Sequence, residues 1–224
     1  MINIQDIKGL KYPDEYFIKF FFKNKLHKQK NLTYLEFGCG NGSNLMLPYS
    51  YENKVLGVDY NQSLINMAND NFSLLNKNKS EFKFYAEEMR KFAKNHKDLQ
   101  AKIFTLPNIV NYITKKDFVR FLLKCKENRL YDKNALFFIR FRTTKDFRHG
   151  FGERINENCY QVDSNLTGEN NAINTLYRES EMLKILETYL GLEKYKVFNI
   201  DFENEISNGD VIFNSDIVIW GEIN

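Results

Sequence analysis

Two hydrophobic rhythms alternate along this chain. Short apolar runs such as Val55-Leu56-Gly57-Val58 and Ile103-Phe104-Thr105-Leu106 have the length and strand-forming residues of buried β-strands. Between such runs the apolar positions fall at helical spacing. Phe118, Phe121, Leu122 and Cys125 share one side of a helix expected over 115–129, and Met182, Leu183, Leu186 and Leu190 share one side over 179–190. The same reading puts strands at 34–37, 55–60, 81–85, 101–106, 135–141, 196–201 and 212–221. It puts further helices over 12–27, from residue 61 onward and up to about residue 96. Strands separated by helices imply an α/β, Rossmann-like, doubly wound and mostly parallel seven-stranded sheet with helices on both faces.

The first strand runs into Glu36-Phe37-Gly38-Cys39-Gly40-Asn41-Gly42. Glycine at every second position lets a backbone turn sharply and lie against a ligand where a Cβ would clash. In the dinucleotide pattern G-x-G-x-x-G the third glycine comes one residue later, where this chain has Ser43. The second strand ends in Asp59, close to the ~20-residue spacing expected of an acid that accepts from ribose hydroxyls.

Together, Glu36 to Gly42, Asp59 and the polar cap Asn61-Gln62-Ser63 resemble the class I S-adenosylmethionine-dependent methyltransferases, whose first motif is written [DE]-x-G-x-G-x-G. The resemblance covers the chain from about Asn31 onward. It implies an antiparallel last strand and a single domain over 1–224. It also implies S-adenosylmethionine as cofactor, S-adenosylhomocysteine as product and no metal. The cofactor residues it implies are Glu36, Gly38, Cys39, Gly40, Gly42, Asp59 and Tyr60. After strand three they are Glu87, with Glu88 in reserve, and Met89; after strand four, Leu106 and Asn108. The Tyr12-Pro13-Asp14-Glu15 opening of the first helix loosely resembles methyltransferases of bacterial surface-polysaccharide gene clusters. Residues 1–30 are expected either to pack a helix on the sheet edge or to form a helical lid over the cofactor, with Tyr12 or Tyr16 near the ligand and Tyr16 the substrate candidate.

Leu106-Pro107-Asn108-Ile109 departs from the [DN]-P-P-[YFW] of amino-directed enzymes and lacks the aspartate of metal-dependent catechol types. Both departures weaken nucleobase-amine and Mg²⁺-dependent readings, and O-methylation is the leading expectation. Arg140 and Arg142 share a strand face at period two, and Lys145, Arg148 and His149 follow in a long polar stretch. Residues 142–177 are expected to be a substrate-binding insertion, since loops of that length in compact domains are usually functional or disordered. Its arginines suit phosphate or carboxylate, which points to a small anionic, phosphorylated or nucleotide-activated sugar-like substrate. His149 is the candidate base, because imidazole titrates near neutrality. Tyr112, Asp146 and Glu153 are alternatives.

Composition narrows the other possibilities. Net charge is only +3 over 224 residues, below the usual footprint of a nucleic-acid-binding domain. RNA methylation, with Lys19, Lys23, Lys25, Lys28 and Lys30 as a basic track, is the alternative within the enzyme class. A NAD-dependent oxidoreductase conflicts with the glycine spacing and Glu36. A cofactor-binding subunit without chemistry would carry a degraded glycine motif. Three scattered cysteines and an N-terminus without an apolar signal core suggest the cytoplasm. No apolar run approaches the ~20 residues of a membrane span.

Overall fold

The computed structural model describes residues 4–75, 80–162, 169, 171–206 and 209–224. Seven strands form the central sheet. They are β1 (Thr33–Phe37), β2 (Lys54–Asp59), β3 (Phe82–Ala86), β4 (Ala101–Pro107), β5 (Tyr131–Arg142), β9 (Glu193–Glu205) and β10 (Val211–Ile223). Their order is β3-β2-β1-β4-β5-β10-β9. The first five are parallel, and β10 runs antiparallel between β5 and β9.

Period-two alternation sorts each strand's residues onto two buried faces. Leu35, Phe37, Phe104, Leu106, Phe137, Ile139, Ile217 and Ile219 enter one core. Their neighbours Tyr34, Ile103, Phe138, Val218 and Trp220 enter the other. The helices α4 (Met89–Asn95), α5 (Lys115–Glu127) and α6 (Glu179–Leu190) supply Phe92, Phe118, Phe121, Leu122, Cys125, Met182 and Leu186 to the first core. The second is covered by α1 (Glu15–Lys23), α2 (Met46–Ser50) and α3 (Gln62–Leu75). Among the described residues no helix is long and apolar enough to cross a membrane.

Several expectations need correction. The N-terminal helix starts at Glu15, capped by Asp14, whose side chain accepts from the Tyr16 and Phe17 N–H groups. It ends at Asn24, because Lys25 is left-handed with φ of 57° and a separate 3-10 turn follows over Leu26–Lys28. This helix packs Phe17 and Phe20 on Phe138 of the sheet. Strand β5 begins four residues before the expected start, passing through Asn134 at φ of 63°. The β9–β10 hairpin extends past the expected strand ends at residues 201 and 212, through exposed positions that periodicity does not flag.

The insertion after β5 is not structureless. It holds a second sheet of β6 (Glu153–Asn156), β7 (Cys159–Gln161) and β8 (Ile173–Thr175), all antiparallel. The strands are too short and polar to show in the sequence. Residues 163–168 and 170 of the expected substrate loop lie outside the described residues.

Candidate active site

The carboxyl ends of β1, β2 and β4 meet at a cleft, the usual ligand position at the switch point of a doubly wound sheet. Three hollows converge on Gly38.

The first, about 150 Å³, lies between the ends of β2 and β3. Val58, Met89, Ile109 and Ile113 make its apolar wall, with Asp59, Glu87 and Glu88 at its rim. Glu88 also caps α4 by accepting from the Lys91 N–H at 3.2 Å and from Arg90 Nε at 2.8 Å. Glu87 accepts from Asn95 Nδ2 at 2.8 Å and lies 3.1 Å from His96 Nε2.

The second hollow, about 300 Å³, lies under the N-terminal segment and is lined by Tyr12, Asp14, Glu36, Cys39, Asn41, Ser43, Asn44 and Asn108 among others. Asn41 Nδ2 donates to the carbonyls of Lys8 and Leu10 and so pins that segment over the glycine loop. Asn44 accepts from the Asp14 N–H and donates to Glu36 Oε2 at 3.3 Å, and Thr105 Oγ1 donates to the same oxygen at 3.0 Å. Burial pushes the Glu36 carboxyl up to about 8, a rise partly offset by those two hydrogen bonds. Burial thus favours the neutral form of the Glu36 carboxyl beside this polar hollow.

The glycine loop joins these two hollows. Gly38, Gly40 and Gly42 all have positive φ. A Cβ on Gly38 would lie 2.8 Å from Ile109 Cβ, and one on Gly42 would lie 2.8 Å from Phe72 Cε2, but one on Gly40 would meet nothing within 4 Å. Gly40 therefore faces open space where a ligand can lie against the backbone. Its N–H donates to Asp59 Oδ2.

The third hollow, about 560 Å³, opens from Gly38, Gly40, Asp59 and Tyr60 toward the insertion, and Asn108, Tyr112, Glu169, Ala172 and Ile173 close it. The Tyr112 hydroxyl donates to Glu169 Oε1 at 2.6 Å. Burial raises the Tyr112 pKa. Burial also opposes ionisation of Glu169, but the Arg142 guanidinium, the Tyr112 hydroxyl and Arg148 outweigh it and hold the carboxyl down at about 2.

Of the expected cofactor residues, Glu36, Gly38, Cys39, Gly40, Asp59, Tyr60, Glu87, Glu88, Met89 and Asn108 all line the cleft. Leu106 does not: its side chain is in the core, and Pro107 forms the wall beside it. Gly42 shapes the loop from behind, against Phe72. The expected substrate residues divide. Arg140 is consumed by Asp14 and Asp216, both at 2.5 Å. Tyr16 packs on Phe198, with ring centroids 6.0 Å apart, and Lys145 is exposed 3.8 Å from Asp201. Arg142 and Arg148 stand immediately behind Glu169.

His149 lies beside Asn158, 3.1 Å from Nε2 to Oδ1, and edge-on to Tyr160, and it lines none of the three hollows. Tyr112 lines two of them. Sequence reasoning missed Asp14, Asn44, Thr105 and Glu169. Thr105 carried a signal as the one hydroxyl in an apolar strand, and Asn44 as part of the polar run after the glycines. Glu169 carried none. Among the described residues no group of three or more His, Cys, Asp or Glu could hold a metal ion.

A model of the methyltransferase domain family matches residues 28–187. No curated protein matches the chain by sequence. Among solved structures, an S-adenosylmethionine-dependent methyltransferase of Methanosarcina mazei is similar at 19% identity and a TM-score of 0.62, covering 89% of this chain and 97% of that one. Magnesium protoporphyrin IX methyltransferase of Synechocystis, solved with bound S-adenosylmethionine, is similar at 12% identity and a TM-score of 0.57, covering 93% and 76%. The 1,6-didemethyltoxoflavin N1-methyltransferase of Burkholderia thailandensis, solved with its substrate and S-adenosylhomocysteine, is similar at 10% identity and a TM-score of 0.59, covering 94% and 79%.

Proposed function

The chain belongs to the methyltransferase domain family, and on that premise we propose that it transfers the methyl group of S-adenosylmethionine to a hydroxyl of a small anionic, sugar-like compound. The observation that carries this reading is the division of the cleft. Two hollows match the chemistry of the cofactor's two ends, and a third, larger one remains for an acceptor.

The residues fit the cofactor. Val58, Met89, Ile109 and Ile113 offer an apolar slot for a purine. Asp59 keeps acceptor capacity for a vicinal diol beyond the two N–H groups it already binds. Glu36 offers a carboxyl to an ammonium, and ionises when one arrives. Open space in front of Gly40 lets the ligand cross from one hollow to the other. Bound S-adenosylmethionine supplies an electrophilic methyl group carried on a sulfonium.

What the chain contributes to transfer is alignment. Gly38, Asn108 and Tyr112 surround the junction of the hollows and fix where an acceptor can enter. Holding two reactants in line can supply ~7–11 kcal/mol of barrier reduction in favourable cases. Tyr112 is the polar side chain best placed to orient the acceptor hydroxyl. Its raised pKa makes it a hydrogen-bonding group rather than a base in the resting protein. The anionic class rests on Arg142 and Arg148, which pair with Glu169 at the wall of the third hollow, whereas Arg140 pairs with Asp14 and Asp216. Sugar phosphates and nucleotide-activated sugars meet both requirements, and they belong to the setting of surface-polysaccharide assembly implied by the N-terminal resemblance.

The test is turnover of S-adenosylmethionine to S-adenosylhomocysteine, read by mass spectrometry, against matched sugars with and without phosphate and against RNA. Turnover with phosphorylated acceptors and an added methyl ether support the reading. Turnover only with neutral sugars or with RNA would sink it.

A further inference from the structure

Behind the third hollow two guanidinium groups converge on one carboxylate. Arg142 Nη2 and the Tyr112 hydroxyl both donate to Glu169 Oε1 at 2.6 Å, and Arg148 Nε donates to Oε2 at 2.6 Å. Glu169 and Tyr112 line the hollow, whereas neither arginine does. The carboxylate therefore stands between the open cavity and both positive charges.

Each arginine is positioned without help from Glu169. Arg142 Nη1 is held by Asn174 Oδ1, and its guanidinium lies 5.3 Å from the centre of the Tyr112 ring. Arg148 Nη1 donates to Asp146 Oδ1 at 2.9 Å and packs over Phe147 at 4.3 Å. Asp146 is itself fixed by accepting from the Arg148 and Ser215 N–H groups. The side chains of Arg148 and Asp146 are 7% and 1% exposed, so their mutual placement is set by packing. With Glu169 turned aside, the acid hydrogen-bonded to the two guanidinium groups among the described residues would be Asp146, on Arg148. A net positive, preorganised fork of that kind is what binds carboxylate and phosphate.

We propose that Arg142, Arg148 and Tyr112 form the anion subsite of the acceptor pocket, and that Glu169 occupies it as an internal counter-ion which the substrate's phosphoryl or carboxylate group displaces. This rests on the methyl-transfer reading for its biological role, but the subsite can be measured separately from it. Three donors already arranged around a carboxylate need little reorganisation to receive another anion. The exchange also gives selectivity, because a neutral acceptor cannot replace the charge that Glu169 provides.

The experiment is calorimetric titration of orthophosphate, and in a second arm acetate, into the wild type, Glu169→Ala, Glu169→Gln and Glu169→Ala/Arg148→Gln. Each protein is titrated with and without S-adenosylhomocysteine. Orthophosphate or acetate should bind Glu169→Ala at least tenfold more tightly than wild type, and the added Arg148→Gln should reverse the gain. Tighter binding of orthophosphate assigns a phosphoryl substrate, and tighter binding of acetate a carboxylate. Should Glu169→Ala not fold, Glu169→Gln carries the same expectation, since it removes the charge and keeps the shape. No gain in either variant, or a gain that survives Arg148→Gln, overturns the subsite. If S-adenosylhomocysteine still binds in that case, the methyltransferase reading stands. If it fails to bind even the wild type, that reading falls while the anion result remains interpretable.

Discussion

The Gly40 N–H donates to Asp59 Oδ2 at 3.0 Å, so the acid that ends β2 braces the loop that follows β1. Its other oxygen accepts from the Asn61 N–H at 2.9 Å, and the Asn61 side chain in turn caps α3 by accepting from the Ser63 and Leu64 N–H groups. One carboxylate thus fixes two ligand-facing backbones while keeping lone pairs for a ligand.

The two glycines facing the cleft should separate stability from binding. Alanine at Gly38 meets both a left-handed backbone and the Ile109 side chain, and should cost about 2 kcal/mol or more. Alanine at Gly40 meets only the backbone strain, about 1–2 kcal/mol, yet its methyl projects into the open space. Gly40→Ala should therefore melt closer to wild type than Gly38→Ala does, and should bind S-adenosylhomocysteine at least tenfold more weakly than wild type. Native affinity in Gly40→Ala would mean that the ligand does not cross this loop.

Glu36 should make stability and binding depend on pH. Burial pushes its carboxyl up to about 8 in the folded protein, from the ordinary carboxylate value near 4.5 in the unfolded chain. Between those values the folded state holds the extra proton. Glu36's contribution to stability is thus fully present below about 4.5 and falls as pH rises toward 8, by at most ~1.4 kcal/mol per pH unit. Denaturant melts of wild type against Glu36→Gln should show that slope in the first and its loss in the second. Binding of S-adenosylhomocysteine at pH 7 should release a proton, so the calorimetric enthalpy should vary with buffer ionisation heat. An enthalpy independent of buffer would show that Glu36 stays protonated in the complex.

Arg140 should prove structural. Arg140→Ala leaves the buried Asp216 and the half-buried Asp14 without their shared partner, which should cost at most about 3–5 kcal/mol. Burial raises Asp216 even with Arg140 present to offset it, so protonating Asp216 should recover part of the loss. The deficit should be larger at pH 8 than at pH 5. An equal deficit at both would mean that the Asp216 carboxylate does not carry the effect.

The sheet and the glycine cleft were legible because they rest on local patterns. Phe118, Phe121, Leu122 and Cys125 read as one helix face and are one. Glu36, Gly38, Gly40 and Asp59 are close in sequence and meet in space. Arg140 could not be read in that way, since its partners Asp14 and Asp216 lie 126 and 76 residues away. Period-two spacing with Arg142 suggested one shared task, whereas the two face different acids. Glu169 sits in a polar stretch without periodicity, so only the structure shows that two arginines converge on it.

The measurement that bears most directly on the central claim is S-adenosylhomocysteine binding by calorimetry, with wild type and Asp59→Ala compared and NAD⁺ as the competing ligand. The expected result is binding of S-adenosylhomocysteine by wild type, a loss of at least tenfold in Asp59→Ala from the lost charged hydrogen bonds, and no binding of NAD⁺. Binding of NAD⁺ without S-adenosylhomocysteine would contradict the methyltransferase reading and leave only the fold.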